Sequence, residues 1–545
     1  MISLPYRAVG TVRQRTGWRL FVVAAAAISI ALPWLSADYG VTWDEHFRHA
    51  NGARVLDFYR GASGGSDFAE VGSRQYGGLF DVVANGAHEL LGGDLWMARH
   101  RVNAAFGAAG IVATGLFAAL VLTPSAGVLA MALLALSPRY LGHAMNNPKD
   151  VPFAALCMVA VLSFLLLRRE PPFLSWWRAV VIGIALGLPL GVRPGALLYL
   201  MYFGLCVLAL IVGSRAWSVR ALGSAAARVI VVALVMLVAG CAFWPWALQN
   251  PIVRPIQALR GAGDFDWNGT MLFRGAEIAA QDPPWSYLPT WMAITIPPVV
   301  VAGIVLAAVA AGRDARYRRA GLIGMWGVAA FPVVAAILAR STLYDGWRHL
   351  LFVYPPLIVL AASGWHFLIN RPQPRSARLI SVALLAAGLV EPLVFMARNH
   401  PNEVVYFNVL AGGPRGATRR FELDYWGNSL LQATEWTARL AARSGTRLRI
   451  SGYPYPIVEG NAQRFESLSP ESPSSRAHHV ELVLARGSLV WLRRLALRQD
   501  SLHVIETADG APLAYVLPGP RFDEVRHLLG DMTASGNAGR GSAGR

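Results

Sequence analysis

The sequence has little charge, three cysteines and a single lysine, and each shortage narrows the class of protein. Only 15% of the 545 residues are charged, whereas soluble domains carry roughly 25%. Because 55% of the residues are hydrophobic, the composition indicates that lipid is the main solvent. Cys157, Cys206 and Cys241 all lie in apolar stretches, so the sequence predicts neither a disulfide framework nor a cysteine metal site.

The formal net charge of +17 would suggest nucleic-acid binding in a soluble protein. Here the arginines instead form short clusters between apolar blocks, at 168–178, 213–228, 312–319 and 370–378. Cytoplasmic loops of membrane proteins carry this excess of basic residues. We therefore interpret the charge as a determinant of topology, and nucleic acid is not an expected partner.

Apolar runs in the sequence predict a multi-pass protein of the cell membrane with about eleven transmembrane helices. The predicted spans are 19–36, 102–122, 124–138, 151–168, 178–191, 194–212, 228–247, 290–311, 320–340, 349–369 and 377–397. If the N-terminus is cytoplasmic, every arginine cluster between spans falls on the cytoplasmic side. The first run resembles a signal peptide, but Trp34-Leu35 precedes a poor cleavage site, so we expect a retained helix.

The predicted fold is an all-α polytopic membrane domain, residues 1–397, followed by a small α/β extracytoplasmic domain, residues 398–532. The long first external loop, 37–101, contains helical patterns at 43–59 and 79–91. The C-terminal part predicts a helix at 427–444 and four strands, and the tail 533–545 is predicted to be disordered. The strands are predicted at Leu448–Ser451, His479–Ala485, Leu502–Thr507 and Ala514–Leu517.

The densest polar group follows the first span, as Asp44-Glu45-His46. Two adjacent carboxylates and an imidazole beside a membrane helix suit a general base or a metal site, but a solvated loop end has the same composition. Adjacent residues point in different directions on a helix, so only one of the two acids is expected to face a given substrate.

A second polar group, Asn146, Asn147, Lys149 and Asp150, precedes the fourth span. Asp150 is placed to cap the following helix, where a carboxylate suits the helix dipole. Lys149 is the only lysine in the chain, every other strong cation being an arginine. Its compact ammonium suits a phosphate, although chance survival of one lysine is the alternative.

Further cations on the predicted external face are Arg193, between two apolar blocks, and the pair Arg348-His349. A charge within apolar sequence is costly and is therefore a candidate for function. Arg348 has an equally good interpretation as an anchor at the membrane interface.

Several short motifs resemble the polyprenyl-phosphate-dependent GT-C glycosyltransferases, nearest to the protein O-mannosyltransferase and lipid A aminoarabinose transferase-like group. Asp44–Phe47 is similar to the acidic first-loop motif of that group, with one residue fewer between the acids and the histidine. The other segments are similar to a family-39-like subgroup. They are Asn146–Phe153, His400-Pro401, Tyr406–Asn408 and Phe421–Asn428.

The resemblance implies a glycosyltransferase that moves a sugar from a polyprenyl-phosphate donor to a lipid, glycan or protein acceptor at the membrane surface. The first-loop acid, carried over to Asp44, is then the general base. Lys149, Arg193 and Arg348 are candidates to stabilise the departing phosphate. The resemblance names no definite cofactor, and Glu45 and Asp150 are candidates to position the acceptor or a divalent cation.

A transporter or flippase for a lipid-linked or anionic solute is the alternative hypothesis, since it would use the same membrane cations. Transporters place polar residues near the middle of the membrane, often at broken helices. In this sequence the polar residues gather at one predicted face, which favours an enzyme.

Overall fold

The computed structural model describes residues 12–62, 68, 74–168, 173–214, 218–263, 267–319, 322–486 and 501–529. The predicted disordered tail at 533–545 lies outside these residues, as do parts of the arginine-rich connections at 168–178 and 213–228. The described chain is a bundle of apolar helices with a small mixed domain at its C-terminal end.

Each of the eleven predicted spans coincides with a helix or with a pair of helices. Up to residue 263, the helices are α1 Val12–Leu35, α2 Glu45–Tyr59, α3 Leu79–Leu91, α4 Leu95–Val121, α5 Pro124–Ala135, α6 Pro138–Asn146, α7 Asp150–Ser163, α8 Trp176–Leu190, α9 Leu197–Ser214, α10 Val219–Cys241, α11 Pro245–Leu248 and α12 Val253–Gly263. They continue as α13 Tyr287–Thr295, α14 Pro298–Arg313, α15 Ala315–Arg319, α16 Leu322–Leu338, α17 Tyr354–Asn370 and α18 Arg375–Asn399. Among the described residues, six helical segments are long and apolar enough to cross a membrane, two bent pairs qualify jointly, and three apolar helices are shorter. The chain is therefore a multi-pass membrane protein, as predicted.

Two predictions about the spans were wrong in detail. The connection between the predicted spans 124–138 and 151–168 is largely helical, because α6 continues from α5 after a bend of 72°. The span expected at 290–311 is two helices, α13 and α14, bent by 111°. Pro138 and Pro298 are each the first residue of the second helix in a pair. A backbone N–H at this position has no partner within the helix, so a proline, which lacks that N–H, costs no hydrogen bond.

Close helix packing in the bundle depends on glycine. A Cβ added to Gly364 in α17 would lie 2.0 Å from the carbonyl oxygen of Gly303 in α14. The two backbones therefore approach more closely than any larger side chain allows. Small residues have this role in membrane helices, where lipid gives no hydrophobic drive for association.

The first loop is held on the bundle by a buried polar network. The carboxylate of Asp81 in α3 accepts hydrogen bonds from Arg48 and Asn51 of α2. Arg99 of α4 lies 3.6 Å from the same carboxylate and donates to Asn85. Because a buried charge is costly unless it is paired, this network fixes the two loop helices relative to α4.

Residues after α18 form a mixed domain with helices α19 Gly413–Ala417, α20 Leu430–Ser444, α21 Tyr455–Ala462 and α22 Asp523–Leu529. Its strands are β3 Leu448–Tyr453, β4 Leu468–Pro470, β5 Val480–Leu484, β6 His503–Glu506 and β7 Pro512–Pro518. A separate hairpin of β1 Thr270–Phe273 and β2 Ala276–Ala279 lies earlier in the chain, before α13. The five-stranded sheet has the order β4-β3-β5-β7-β6, with β3 parallel to β4 and β5 and the remaining pairs antiparallel. The predicted helix and all four predicted strands are confirmed, whereas β4, α21 and α22 were not predicted.

The mixed domain packs directly on the first loop. The backbone N–H of Val41 donates to the side-chain oxygen of Asn461, at 2.9 Å. Arg464 donates to the carbonyl oxygen of Tyr39, at 3.1 Å. The loop therefore lies between the helical bundle and the mixed domain.

His400 joins the end of the first span to the segment after α18. Its ring contacts the carboxylates of Glu403 at 2.8 Å and Asp38 at 2.9 Å. Hydrogen bonding to Glu403 is the main cause that raises the pKa of His400 from 6.5 to about 9. The charged ring therefore bridges two carboxylates from distant parts of the chain.

This bridge gives a pH-dependent contribution to stability. A histidine whose folded pKa is raised stabilises the fold fully below its unfolded pKa of about 6.5, and the effect is lost as pH rises through about 9. We expect His400→Gln to lower the melting temperature of the detergent-solubilised protein more at pH 6 than at pH 10. The exposed His527 supplies the control, His527→Gln, which is expected to change neither value. An equal loss at both pH values for His400→Gln would contradict this account.

Candidate functional site

The candidate site lies where several helices begin or end at the same end of the bundle. We use the term ion-pair cluster for Asp44, Lys149, Asp150, Arg193 and Arg348. Asp44 precedes α2, Lys149 and Asp150 stand at the start of α7, Arg193 follows α8, and Arg348 begins the 3₁₀ turn before α17. The structure therefore brings together five residues that the sequence analysis proposed separately.

Asp44 is the acid of the cluster that a ligand can reach. Its Oδ2 lies 2.8 Å from Lys149 Nζ and 3.8 Å from Arg348 Nη1, and its side chain is 21% exposed. Burial raises the pKa of the Asp44 carboxyl, but attraction to Lys149 and Arg348 outweighs it, so this pKa lies below its usual value. Asp44 is therefore ionised and able to accept a proton at neutral pH.

Asp150 has a different place, since its side chain is fully buried. One carboxylate oxygen pairs with Arg193 Nη2, and the other lies 3.3 Å from Arg348 Nη1. The side chain of Asn147 donates to Asp150 at 2.8 Å, and its oxygen accepts from the backbone N–H of Asp150 at 2.9 Å. Asp150 therefore lies in the first turn of α7, where a carboxylate suits the helix dipole, and it holds two arginines in position, while the Asn147 side chain accepts hydrogen bonds from the backbone N–H groups at the start of the helix.

The accessible side of the cluster is formed by Asp44 and by two cations. The side chains of Lys149 and Arg193 retain 11% and 10% exposure, whereas Asp150 retains none. Tyr76 lies beneath both cations, with its ring centroid 4.8 Å from Lys149 Nζ and 5.6 Å from Arg193 Cζ. A ring face stabilises a nearby cation by electrostatic attraction.

Arg348 is clamped from several directions. Its Nη2 lies 3.1 Å from Oδ2 of Asp345, and its Cζ lies 5.0 Å from the ring centroids of both Tyr344 and Trp426. Asp345 in turn pairs with Arg486, which follows β5, at 2.6 Å. The mixed domain therefore contributes a cation next to the cluster.

Glu45 and His46 lie outside the ion-pair cluster. The Glu45 carboxylate accepts from the backbone N–H of Thr42 at 2.9 Å and contacts His100 Nε2 at 3.0 Å, so it closes the turn before α2. The His46 ring packs on Trp96 with 4.6 Å between centroids. The predicted catalytic role of Glu45 and the predicted binding role of His46 stay predictions.

Asn146 and His349 lie around the cluster without joining its ion pairs. The side chain of Asn146 donates to the carbonyl oxygen of Gly40 and to Asn428 Oδ1, at 3.0 Å each. His349 is packed against Tyr344 with 4.5 Å between ring centroids. Their direct contact with a substrate stays a prediction, as does that of Asn147.

Among the described residues, no group of three or more His, Cys, Asp or Glu side chains is arranged to hold a metal ion. The carboxylates of the cluster each face a cation, as Asp44 does with Lys149 and Asp150 with Arg193. The donor set as it stands is therefore that of an anion-binding site with one accessible carboxylate. Such a set can remove a proton and can bind a phosphate.

Sequence reasoning missed Tyr76, Asp345, Arg486 and Tyr344. A single ring or carboxylate in a loop gives no periodic signal in the sequence, so only the fold identifies these four residues. Trp426 was partly anticipated, because it belongs to the Phe421–Asn428 segment that resembled a known family. That segment packs behind the cluster, where Asp424 accepts from the backbone N–H groups of residues 427–429.

No family model and no curated protein matches the sequence. The fold is similar to the structure of ArnT from Cupriavidus metallidurans bound to undecaprenyl phosphate, with a TM-score of 0.47, 15% identity, and coverage of 92% of this chain and 98% of that chain. It is also similar to the oligosaccharyltransferase of Archaeoglobus fulgidus in the apo form, with a TM-score of 0.47, 13% identity, and coverage of 84% and 65%. For the S. cerevisiae protein O-mannosyltransferase Pmt1–Pmt2 complex bound to the sugar donor, the values are 0.34, 15%, 45% and 34%. Scores and identities this low assign neither a family nor a substrate to this chain.

Proposed function

We propose that this protein is an inverting glycosyltransferase that moves a sugar from a polyprenyl-phosphate donor to an acceptor on the non-cytoplasmic face. The observation that carries the proposal is the ion pair of 2.8 Å between Asp44 and Lys149 at the accessible side of the cluster. This ion pair supports the proposal because a carboxylate that can accept a proton lies beside a cation suited to a phosphate. These are the two functions that displacement of a lipid phosphate by a hydroxyl or amine requires.

In the proposed reaction the acceptor oxygen or nitrogen attacks the anomeric carbon, and its proton passes to Asp44. The bond from the anomeric carbon to the phosphate oxygen breaks, and its electron pair leaves with the lipid phosphate. A carboxylate of pKa about 3.9 cannot deprotonate an alcohol beforehand, so Asp44 takes the proton late in the transition state. A single displacement inverts the anomeric configuration.

The departing phosphate gains negative charge, which Lys149, Arg193 and Arg348 are positioned to stabilise. Lys149 and Arg193 are the partly exposed cations, and Arg348 directs Nη1 toward both Asp44 and Asp150. Removal of one such preorganised contact typically costs about 10²–10³ in rate. Asp150 keeps the two arginines near each other despite their repulsion.

Position within the bundle favours an enzyme over a transporter or flippase. Each member of the cluster stands at a helix end or in a connection, at one end of the bundle. A transporter is expected to bind its solute near the bilayer midplane.

Topology supplies the first test. A reporter fused after Arg398 is expected to be active only outside the cytoplasm, and one fused after Arg319 only inside, because three apolar helices, α16, α17 and α18, lie between the two positions. Alkaline phosphatase and green fluorescent protein fusions measure this directly. A cytoplasmic signal after Arg398 would show that the proposed face of the site is wrong.

Mass spectrometry of membrane lipids and glycans, from cells with and without the gene, tests the reaction. A transferase predicts loss of one glycosylated product and accumulation of a polyprenyl-phosphate sugar in the deletion strain. If the protein is a flippase, deletion of the gene is expected to change the leaflet that holds the same lipid, while formation of the glycosidic linkage does not depend directly on this protein. Transfer by the purified protein in vesicles of that lipid decides between the two.

A further inference from the structure

Asp345 lies between two arginines that come from different parts of the chain. Its Oδ2 contacts Arg348 Nη2 at 3.1 Å and Nε at 3.3 Å, while its Oδ1 contacts Arg486 at 2.6 Å. Arg348 begins the turn before α17, whereas Arg486 follows β5 of the mixed domain. One carboxylate therefore links the mixed domain to the ion-pair cluster.

The backbone fixes this carboxylate in place. Asp345 has a φ of 56° and is followed by Gly346 with a φ of 71°, so both residues are in the left-handed region. Aspartate is enriched in this region relative to most residues other than glycine. With the turn fixed and each carboxylate oxygen bonded to a different arginine, the side chain has one orientation.

The consequence for Arg348 is geometric. Its Nε and Nη2 are both occupied by Asp345, which leaves Nη1 directed toward Asp44 at 3.8 Å and Asp150 at 3.3 Å. Arg486 is itself held, since its Nε lies 3.7 Å from Glu422 and its guanidinium lies 5.9 Å from the Trp43 ring centroid. A fork of fixed donors on a planar carboxylate gives directional control that a point charge does not.

We infer that Arg486 is a positioning residue that acts through Asp345 to hold Arg348 where it binds the donor phosphate, so that the mixed domain completes the donor site. The inference rests on the proposed function. It assigns to the C-terminal domain a role within the site in addition to any role in acceptor binding. It also explains why a domain outside the bundle buries an arginine against a membrane loop.

Binding of undecaprenyl phosphate to the full-length protein in detergent micelles tests the inference, with undecaprenol as the probe that lacks the phosphate. For Arg486→Met we expect the Kd for undecaprenyl phosphate to rise by about tenfold or more. Loss of a residue that orients a metal ligand weakens metal affinity by a similar factor. Weak binding of undecaprenol is expected to stay unchanged. Arg449→Met, which removes a surface pair with Glu524 in the same domain, is the matched control and should leave both values unchanged.

A double variant separates positioning from net charge. Arg486→Met combined with Asp345→Asn restores the original charge balance but leaves Arg348 without its guide. A positioning role predicts that binding of undecaprenyl phosphate stays weak in the double variant, and that Arg486→Lys only partly retains affinity. Recovery to the wild-type Kd in the double variant would overturn the inference in favour of a plain charge effect.

Two further outcomes distinguish the inference from the proposed function. If the wild-type protein binds undecaprenyl phosphate no better than undecaprenol, the donor assignment fails. If the wild-type protein shows phosphate-dependent binding and Arg486→Met keeps the same Kd, only the role of Arg486 fails. Melting temperatures of all variants show whether each remains folded, and an unfolded Arg486→Met is replaced by Arg486→Gln, for which the same weakening is expected.

Discussion

Asp44→Asn is expected to abolish transfer while the protein remains folded and inserted in the membrane. The change is nearly isosteric, but the amide carries no negative charge and cannot take up the proton that the acceptor substrate releases. General-base catalysis typically contributes about 10²–10⁴ to the rate, and we expect a loss in this range. Product formed from the donor lipid identified in the deletion strain, measured per mole of purified protein, gives the loss.

A matched substitution on the same loop controls for general effects of removing a carboxylate. Asp57 lies in α2 outside the ion-pair cluster, and Asp57→Asn is expected to keep wild-type turnover. Wild-type activity in Asp44→Asn would exclude Asp44 as the base and transfer that role to Glu45. The Glu45 carboxylate accepts a hydrogen bond from Thr42 and contacts His100. We therefore expect Glu45→Gln to lower the melting temperature while turnover changes little.

The pattern of apolar segments predicted the bundle because membrane helices are long, apolar and nearly free of charge. The same reasoning could not find the bend between α5 and α6, since a helix of polar residues such as Pro138–Asn146 gives no membrane signal. The polar composition of this segment alone predicts a loop exposed to water. Inside the protein their polar groups are satisfied by other segments, as when Asn103 donates to the backbone of Ala144 at 2.8 Å.

Individual members of the site were predictable where their chemistry was unusual for the surroundings. Arg193 was identified because a charge between apolar blocks is costly, and Lys149 because it is the only lysine. Asp345 and Arg486 gave no such signal, since each is an ordinary charged residue in a loop. Their importance follows from their contacts with Arg348, which only the fold establishes.

Adjacent residues with similar chemistry turned out to have separate environments. Asp44 is partly exposed and paired with a lysine, whereas Glu45 is buried and bonded to the turn that precedes α2. The expectation that only one of two neighbouring acids faces the site agrees with this arrangement. Which of the two faces it depends on how the first loop packs against α4 and α7, and the sequence alone does not specify that packing.

Lys149→Arg is expected to be a poor substitute although it preserves the charge. The ammonium lies 2.8 Å from Asp44 Oδ2 and 4.8 Å from the Tyr76 ring centroid, and only 11% of the side chain is exposed. A planar guanidinium in that space would displace Asp44 or the ring, and it approaches a phosphate at a different angle. We expect reduced donor affinity or turnover for Lys149→Arg.

Lys149→Met should lose more, about 10²–10³ in rate, because the charge that stabilises the leaving phosphate is gone and Asp44 loses its partner. The order Met below Arg below Lys separates a specific contact from general electrostatics, which would leave Lys149→Arg fully active. An exposed arginine outside the ion-pair cluster, Arg340, supplies the control, since Arg340→Lys is expected to be neutral. Full activity of Lys149→Arg would mean that the only lysine is an accident of composition, and the phosphate would then be held by Arg193 and Arg348.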